Sequence, residues 1–265
     1  MKTRLDKLLV DRGLTPSRER AQALILAGKV LVNDQKVDKA GVAVDSQSGI
    51  RLLGEDLRYV SRGGLKLEKA IEHWRIDLTG ALCLDIGAST GGFTDCMLQH
   101  RASRVIAIDT GYGQIDLRLR NDPRVALLEK TNARYLTRAD LAKLTNSPIA
   151  FLALDVSFIS ATLVVPPVVC AVLEDSRRPA NALLEVVVLV KPQFEVGREL
   201  VGKGGIVRDE AAQKSAVDKV RSTLQELGAT DVDCIESPIL GGEGNHEFLL
   251  HGIFTSNLGP LTSSL

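Results

Sequence analysis

The stretch ALCLDIGASTGGF, residues 81–93, decides the fold. A short apolar run reaches Asp85, passes through Gly87, Gly91 and Gly92, and opens a segment of helical length. That order reads as a buried strand, a glycine turn and a helix. Glycines at the turn let the main chain approach a ligand without a Cβ in the way. A dinucleotide fingerprint would place glycine at 87, 89 and 92; Ser89 occupies the middle position, which weakens a pyrophosphate-binding reading. Asp85 is a poor neighbour for a pyrophosphate. It suits a ligand carrying positive charge, such as the ammonium of S-adenosylmethionine.

The same grammar recurs outward from this stretch. RVIAID ends at Asp109, IAFLALD at Asp155, and LLEVVVLV, residues 183–190, at Lys191. Segments of helical length lie between, so the chain is expected to form an α/β, doubly wound parallel sheet. Ligands in such sheets bind at the carboxyl ends of the strands. Asp109, 24 positions beyond Asp85 (109 − 85), is placed to accept both ribose hydroxyls of an adenosyl cofactor. Each of these aspartates taken alone could equally be a helix N-cap.

Lys191 follows a run of valines, and Pro192 stops the ladder because it lacks an N–H. A strand-end lysine commonly lays its stem on apolar surface and leaves its ammonium in water. A lysine that is to take a proton instead needs burial or a neighbouring cation. Lys66 could be that cation, with Asp155 and Glu247 holding both ammonium groups. Glu195 competes with Glu247 for that place, and the residues alone leave the choice open.

The front of the chain differs. RLDKLLVDRG, residues 4–13, and TPSRERAQALILAG, residues 15–28, each carry an apolar stripe at helical spacing and end on glycine. Thr15 is placed to cap the second helix with Pro16 in its first turn. KVLVNDQKV then reads as a hairpin turning at Asn33 and Asp34. Residues 1–75 hold 15 Lys/Arg against 10 Asp/Glu; the remainder holds 18 against 23, so a chain of zero formal charge has a basic front. Such a front suits phosphates. Gly63 and Gly64 close an extended joint before a helix leading into the second domain.

The four cysteines, Cys83, Cys96, Cys170 and Cys234, are scattered without metal-ligand spacing, which argues for reduced thiols and no metal. The longest apolar candidate, residues 161–173, is interrupted by Pro166 and Pro167, and the N-terminus lacks the apolar centre of a signal peptide. A cytoplasmic protein with no membrane partner, a monomer, is expected.

RLDKLLVDRGLTPSRERAQALILAGKVLVN resembles the RNA-binding module named after ribosomal small-subunit protein S-four. The resemblance implies structured RNA as partner, with Arg4, Lys7, Arg18, Arg20, Lys29, Lys36 and, in the joint, Arg62 as RNA-contact candidates. SRGGLKL, LDIGASTGGFTD, DTGYGQ, RNDPRV, TNARYL, LDVSFIS, LVKPQFEVG and GNHEFLLH together resemble the TlyA family of ribosomal RNA methyltransferases, whose catalytic domain is of the FtsJ type. The resemblance implies S-adenosylmethionine as cofactor and methylation of a ribose 2′-hydroxyl, of cytidine, in ribosomal RNA or assembled subunits. It carries a Lys-Asp-Lys-Glu tetrad onto Lys66, Asp155, Lys191 and Glu247, which tips the choice away from Glu195, and the SRGG-x-K spacing favours Lys66 over Lys69. In that reading Lys191 takes or orients the hydroxyl proton, Glu247 orients Lys191, and no metal is needed. The cofactor set it implies is Asp85, Gly87, Ala88, Ser89, Thr90, Gly91, Gly92, Phe93, Asp109, Asn132 and Asp155.

The expected organisation is an S-four-like α+β domain at 1–58, a linker and lead-in helix at 59–75, a Rossmann-like FtsJ-type methyltransferase domain at 76–255 and a disordered tail at 256–265. Three rival functions remain: an RNA-binding protein with little catalysis, the haemolysin activity for which the family has been labelled, and a nicotinamide-dependent oxidoreductase. The intact tetrad speaks against the first, the lack of an amphipathic basic helix against the second, and Ser89 against the third.

Overall fold

A computed structural model describes residues 2–15, 17–53, 58–175, 177–179, 181–241 and 244–255. The chain divides into two compact units, Met1–Arg58 and Tyr59–Leu265. The expected tail lies outside the described residues.

The first unit comprises β1 (Lys2–Arg4), α1 (Leu5–Asp11), α2 (Arg18–Leu26), β2 (Val30–Val32), β3 (Gln35–Val37), β4 (Ala43–Asp45) and β5 (Ile50–Leu52). Strand β2 pairs antiparallel with β3 and β5, and β1 with β4. The helical stripes meet in a core of Leu5, Leu8, Leu9, Ala21 and Ile25 with Val30 and Val44. Asn33 and Asp34 both take positive φ, 49° and 62°, the conformation a two-residue hairpin turn requires. The cap of α2 differs from expectation. Ser17, not Thr15, accepts the Arg20 amide at 3.2 Å, because its hydroxyl stands three residues before that N–H; Thr15 is buried and Pro16 lies outside the described residues.

The second unit comprises α3 (Gly63–Trp74), β6 (Leu82–Ile86), α4 (Gly92–Gln99), β7 (Arg104–Ile108), α5 (Leu117–Arg120), β8 (Val125–Leu128), α6 (Arg138–Leu144), β9 (Phe151–Leu154), α7 (Val165–Leu173), β10 (Leu183–Val190), α8 (Pro192–Glu195), α9 (Glu210–Glu226), β11 (Thr230–Glu236) and β12 (Phe248–Thr255). The seven-stranded sheet runs β11-β12-β10-β9-β6-β7-β8. Strands β8, β7, β6, β9 and β10 are parallel, and β12 is antiparallel to both β10 and β11. The chain leaves β6 toward β7 on one side and returns to β9 on the other. The switch point therefore falls between the carboxyl ends of β6 and β9.

Alternation along the strands divides the core. Leu84, Ile86, Val186, Val188 and Val190 pack on one face of the sheet, while Cys83, Val187 and Leu189 pack on the other with Leu67, Ala70 and Ile71 of α3 and Phe93 and Met97 of α4. The valine run of β10 is buried on both sides, as its composition demands. Two local readings are corrected. Gly63 and Gly64 form the first turn of α3 rather than closing an extended joint, and Gly64 is required there because a Cβ would meet the Tyr59 ring at 2.3 Å. Pro166 and Pro167 start α7 rather than break it, since first-turn N–H groups have no intrahelical acceptor to lose. Pro192 stops the ladder as expected, since β10 ends at Val190, and it opens α8.

Candidate active site at the switch point of the sheet

Two adjoining cavities open where β6 and β9 diverge. The larger, about 540 Å³, is lined among others by Gly87, Ser89, Asp109, Asn132, Asp155 and Phe158. The smaller, about 240 Å³, is lined by Arg62, Lys66, Ala88, Thr90, Phe93 and Leu240, and shares Gly87, Ser89 and Asp155 with the first. Asp155 thus stands at their junction.

The larger cavity lies within the ~300–1,000 Å³ range of small-ligand sites. At its far side Asp109 Oδ2 accepts the Ser89 amide at 2.8 Å and Oδ1 accepts the Gly111 amide at 2.6 Å. A carboxylate has about four acceptor positions, so each oxygen retains capacity for a ribose hydroxyl. Asn132 Oδ1 accepts the Arg134 amide at 3.1 Å, which leaves its NH₂ as the group to offer a ligand. These donors and acceptors fit an adenosyl cofactor.

The glycine turn is built for the protein's own backbone. Gly87 has φ +83°, and a Cβ there would meet the Asp155 carbonyl oxygen at 2.3 Å. A Cβ on Gly92 would meet Ser61 Oγ at 2.3 Å, so this glycine admits the segment before α3. Close approach of the protein's own chain, the segment after β9 at Gly87 and the segment leading into α3 at Gly92, explains these residues more than closeness to a ligand does. Gly91 borders neither cavity.

Asp85 also borders neither cavity. It follows Cys83 onto the α4 face of the sheet, is completely buried, and accepts Thr94 Oγ1 at 2.5 Å. Its Oδ1 has no hydrogen-bond partner among the described residues. Burial pushes its carboxyl up to about 7, with Asp155 and Asp109 adding repulsion.

The four polar residues of the tetrad form two ion pairs. Lys191 follows β10, and its Nζ lies 2.6 Å from Asp155 Oδ1, at the end of β9, and donates to Ser157 Oγ at 2.7 Å. Lys66, in the first turns of α3, pairs with Glu247, which precedes β12. The side chains are 12% and 22% exposed in the first pair and 11% and 3% in the second. Glu247 therefore holds Lys66 and not Lys191, contrary to the expectation above. The reason is geometric: Asp155 and Ser157 already occupy the Lys191 ammonium, while α3 carries Lys66 over β12. Gly241 makes room for the Glu247 carboxylate, since a Cβ would meet its Oε1 at 2.5 Å. Lys69 is exposed. Glu195 is spent elsewhere: it is buried and accepts Ser160 Oγ at 2.5 Å and the Ala161 amide at 2.6 Å.

Sequence reasoning passed over Ser157, Phe158, Ile239 and Leu240. Ser157 is adjacent to the LALD strand end and could have been found from it. Ile239 and Leu240 lie in the loop between β11 and β12 and reach the small cavity only through the fold.

In the first unit, Arg4 and Arg18 do not stand as simple surface cations. Both pair with Asp6, at 2.9 and 3.0 Å, and Gln22 adds a bond at 2.8 Å. Asp6 is completely buried at the helix pair, and the Arg4 guanidinium holds its carboxyl well below the usual range. Lys7, Lys29 and Lys36 are exposed, Arg20 is partly buried, and the Lys36 stem crosses Gly28. Arg62, in the second unit, N-caps α3 beside the small cavity.

A parallel sheet with an acidic cofactor crevice at its switch point and a paired lysine–carboxylate site defines a Rossmann-like group-transfer enzyme. Residues 59–254 match the FtsJ-like methyltransferase family and residues 3–49 the S4 domain. The chain is 42% identical over 250 residues to the 16S/23S rRNA (cytidine-2′-O)-methyltransferase TlyA of Mycobacterium tuberculosis, covering 94% of this chain and 89% of that one. It is 40% identical to a Brachyspira hyodysenteriae protein called Hemolysin A, covering 94% and 99%. A solved structure labelled hemolysin from Streptococcus thermophilus superposes with TM-score 0.70 at 41% identity, over 96% of this chain and 89% of that chain. The chain belongs to the FtsJ-like methyltransferases, in the TlyA family, with an S4 domain in front. Among the described residues no helix is long and apolar enough to cross a membrane.

Proposed function

We propose that this chain transfers a methyl group from S-adenosylmethionine to the 2′-hydroxyl of a cytidine ribose in ribosomal RNA, with Lys66, Asp155, Lys191 and Glu247 as the working residues. The observation that carries the reading is the placement of two shielded lysine–carboxylate pairs beside two cavities that meet at Asp155. The larger cavity would hold the cofactor, with Asp109 on the ribose hydroxyls and the Asn132 amide beside it. The smaller would take the acceptor nucleotide, with Arg62 available to a phosphate oxygen.

The bound cofactor supplies a methyl group on a sulfonium that is its own leaving group. What remains for the protein is alignment and the hydroxyl proton. Lys66 faces the acceptor cavity and can donate to the ribose oxygen, fixing its direction. Asp155 at the junction can accept from the same hydroxyl or hand that role to Lys191. An ammonium takes up a proton only after releasing its own, so the lysines chiefly orient and stabilise, and much of the acceleration is positioning. Lys191 can take the hydroxyl proton only as a neutral amine, once one of its own protons has passed to solvent; while charged, held by Asp155 and Ser157, it orients the hydroxyl.

The S4 domain supports structured RNA as substrate, read through backbone and shape. The M. tuberculosis relative's name includes both 16S and 23S rRNA; that of a 34% identical Campylobacter jejuni relative includes 23S alone. Both subunits are therefore candidate substrates, and the proposed setting is the cytoplasm, with the chain acting as a monomer. The test is transfer of labelled methyl from S-adenosylmethionine to separated 30S and 50S subunits and to free rRNA. A label at a site that resists alkaline cleavage is expected, because a methylated 2′-oxygen cannot attack its phosphate. Cofactor binding without transfer to any of these RNAs overturns the reading.

A further inference from the structure

We propose that Trp74 and His251 form a second lock that sets the register of α3 on β12 and so holds Lys66 at the active site; the catalytic meaning of that lock rests on the function proposed above. Lys66, Ala70 and Trp74 follow one another at i, i+4 and i+8 and so form one row along α3. Glu247, Leu249 and His251 alternate along β12 and its lead-in and so share one face. Each step advances about 6 Å in the helix and about 6.6 Å in the strand, so the two rows stay matched over their whole length.

The structure fills all three rungs. Lys66 pairs with Glu247, Ala70 and Leu249 are completely buried in the same core cluster, and the Trp74 ring stacks on His251 with centroids 5.0 Å apart and planes 19° from parallel. The third rung is itself a built site. His251 and Asp233 are direct cross-strand partners, and the Trp74 indole N–H donates to Asp233 Oδ2 at 2.9 Å while its face lies on the imidazole. His251 Nε2 donates to Glu185 Oε2 of β10 at 3.1 Å; a carboxylate offers only acceptors, so Nε2 carries the proton. His73 stands beside the same Asp233 at 3.7 Å. Trp74 thus ties the end of α3 to β11, β12 and, through His251, β10.

Leu67, Ala70 and Ile71 pack α3 on the sheet through apolar contacts, which resist sliding less specifically than paired polar and aromatic groups at both ends do. One residue of slip moves it about 1.5 Å and rotates it by about 100°, enough to carry the Lys66 ammonium away from an acceptor oxygen. The far lock adds a directional restraint to that packing and fixes the register. His251 and Trp74 are positioning residues that act through Lys66.

The test uses the full chain with His251→Ala, His251→Phe and Trp74→Leu, which removes both the stacking ring and the indole N–H. Lys66 acetylation by acetic anhydride, a small amine-reactive acyl donor that releases acetate, followed by mass spectrometry, reads the lock without any turnover. In His251→Ala, Lys66 labelling is expected to rise and kcat to fall, each about tenfold as misplacement of a positioning group does, with cofactor Kd unchanged within about twofold. His251→Phe, which restores a stacking face, is expected to recover both. Trp74 is the sole tryptophan, so its fluorescence reports folding and stacking in the histidine variants. Should His251→Ala not fold, Trp74→Leu carries the comparison: faster Lys66 labelling supports the lock and unchanged labelling overturns it. Unchanged Lys66 labelling and kcat in folded His251→Ala overturn the proposal. So does a joint loss of kcat, cofactor affinity and thermal midpoint that His251→Phe fails to recover. A wild-type chain that methylates no RNA would sink the proposed function, while the labelling comparison would still decide the lock.

Discussion

Lys191 Nζ stands 2.6 Å from Asp155 Oδ1 and 2.7 Å from Ser157 Oγ, so the lysine at the end of β10 is gripped by the segment that leaves β9. A strand-end lysine with its ammonium in water would show neither contact. The grip sets the tip of one strand against its neighbour at the point where both cavities meet.

Removing that ammonium should therefore affect chemistry and leave cofactor binding intact. Lys191→Ala is expected to lower the single-turnover rate about 10²–10⁴-fold, the usual range for a positioned proton-transfer group. Ser157→Ala should cost about 10- to 150-fold, since a hydrogen bond to a charged group contributes about 1.5–3 kcal/mol. Single-turnover transfer and cofactor titration on the same preparations separate the two effects. Full activity in Lys191→Ala would reduce the grip to a structural contact.

The two buried glutamates make opposite predictions. Glu247→Gln leaves Lys66 beside a neutral partner and should lower transfer at least tenfold while the fold holds. Glu195→Gln loses charge-assisted bonds to Ser160 and Ala161 and should lower unfolding stability by about 1–3 kcal/mol, with the folded fraction still active. Denaturant titration beside activity per folded molecule reads both. Reversed outcomes would return the catalytic role to Glu195.

Asp85 should make the second unit less stable as pH rises. Burial pushes its carboxyl up to about 7, against about 3.9 in an unfolded chain. Between about pH 4 and 7 the native state keeps a proton that the unfolded state has lost, so stability falls as pH rises through that window. Asp85→Asn removes this contribution, and the variant should gain on the wild type from pH 5 to pH 8 in urea titrations. A gap that does not change with pH would mean the carboxyl is ionised throughout.

In the first unit the basic residues should separate into two kinds. Arg18→Ala breaks a pair with the buried Asp6 and should lower both RNA affinity and the protection of α1 and α2 from hydrogen exchange. Lys29→Ala, at an exposed position, should weaken RNA binding and its salt dependence without changing protection. Equal exchange behaviour in the two variants would show that Gln22 and Arg4 suffice to hold Asp6.

The sequence by itself determined the class of fold, and its resemblance to a family supplied the four residues proposed to work. Strand and helix periods, the run of valines before Lys191, and the glycines after Asp85 depend on local spacing, and local spacing survives in a one-dimensional string. The tetrad came through the family resemblance, because each member, Lys66, Asp155, Lys191 and Glu247, lies in a short motif that can be matched without the fold; the residues alone left Glu195 beside Glu247. Their partners were not legible. Which carboxylate meets which lysine depends on how α3 lies over β12 and how far the segment after β9 reaches, and both are set by packing between residues more than a hundred positions apart in the case of Lys66 and Glu247. Tertiary structure likewise turned Asp85 away from the cavity, because alternation along β6 sends it to the face where α4 packs. It assigned Gly87 to the approach of β9, and it joined Trp74, Asp233 and His251, three residues no spacing rule would group. Identity is written in motifs, while pairing follows from which faces the folded chain brings together.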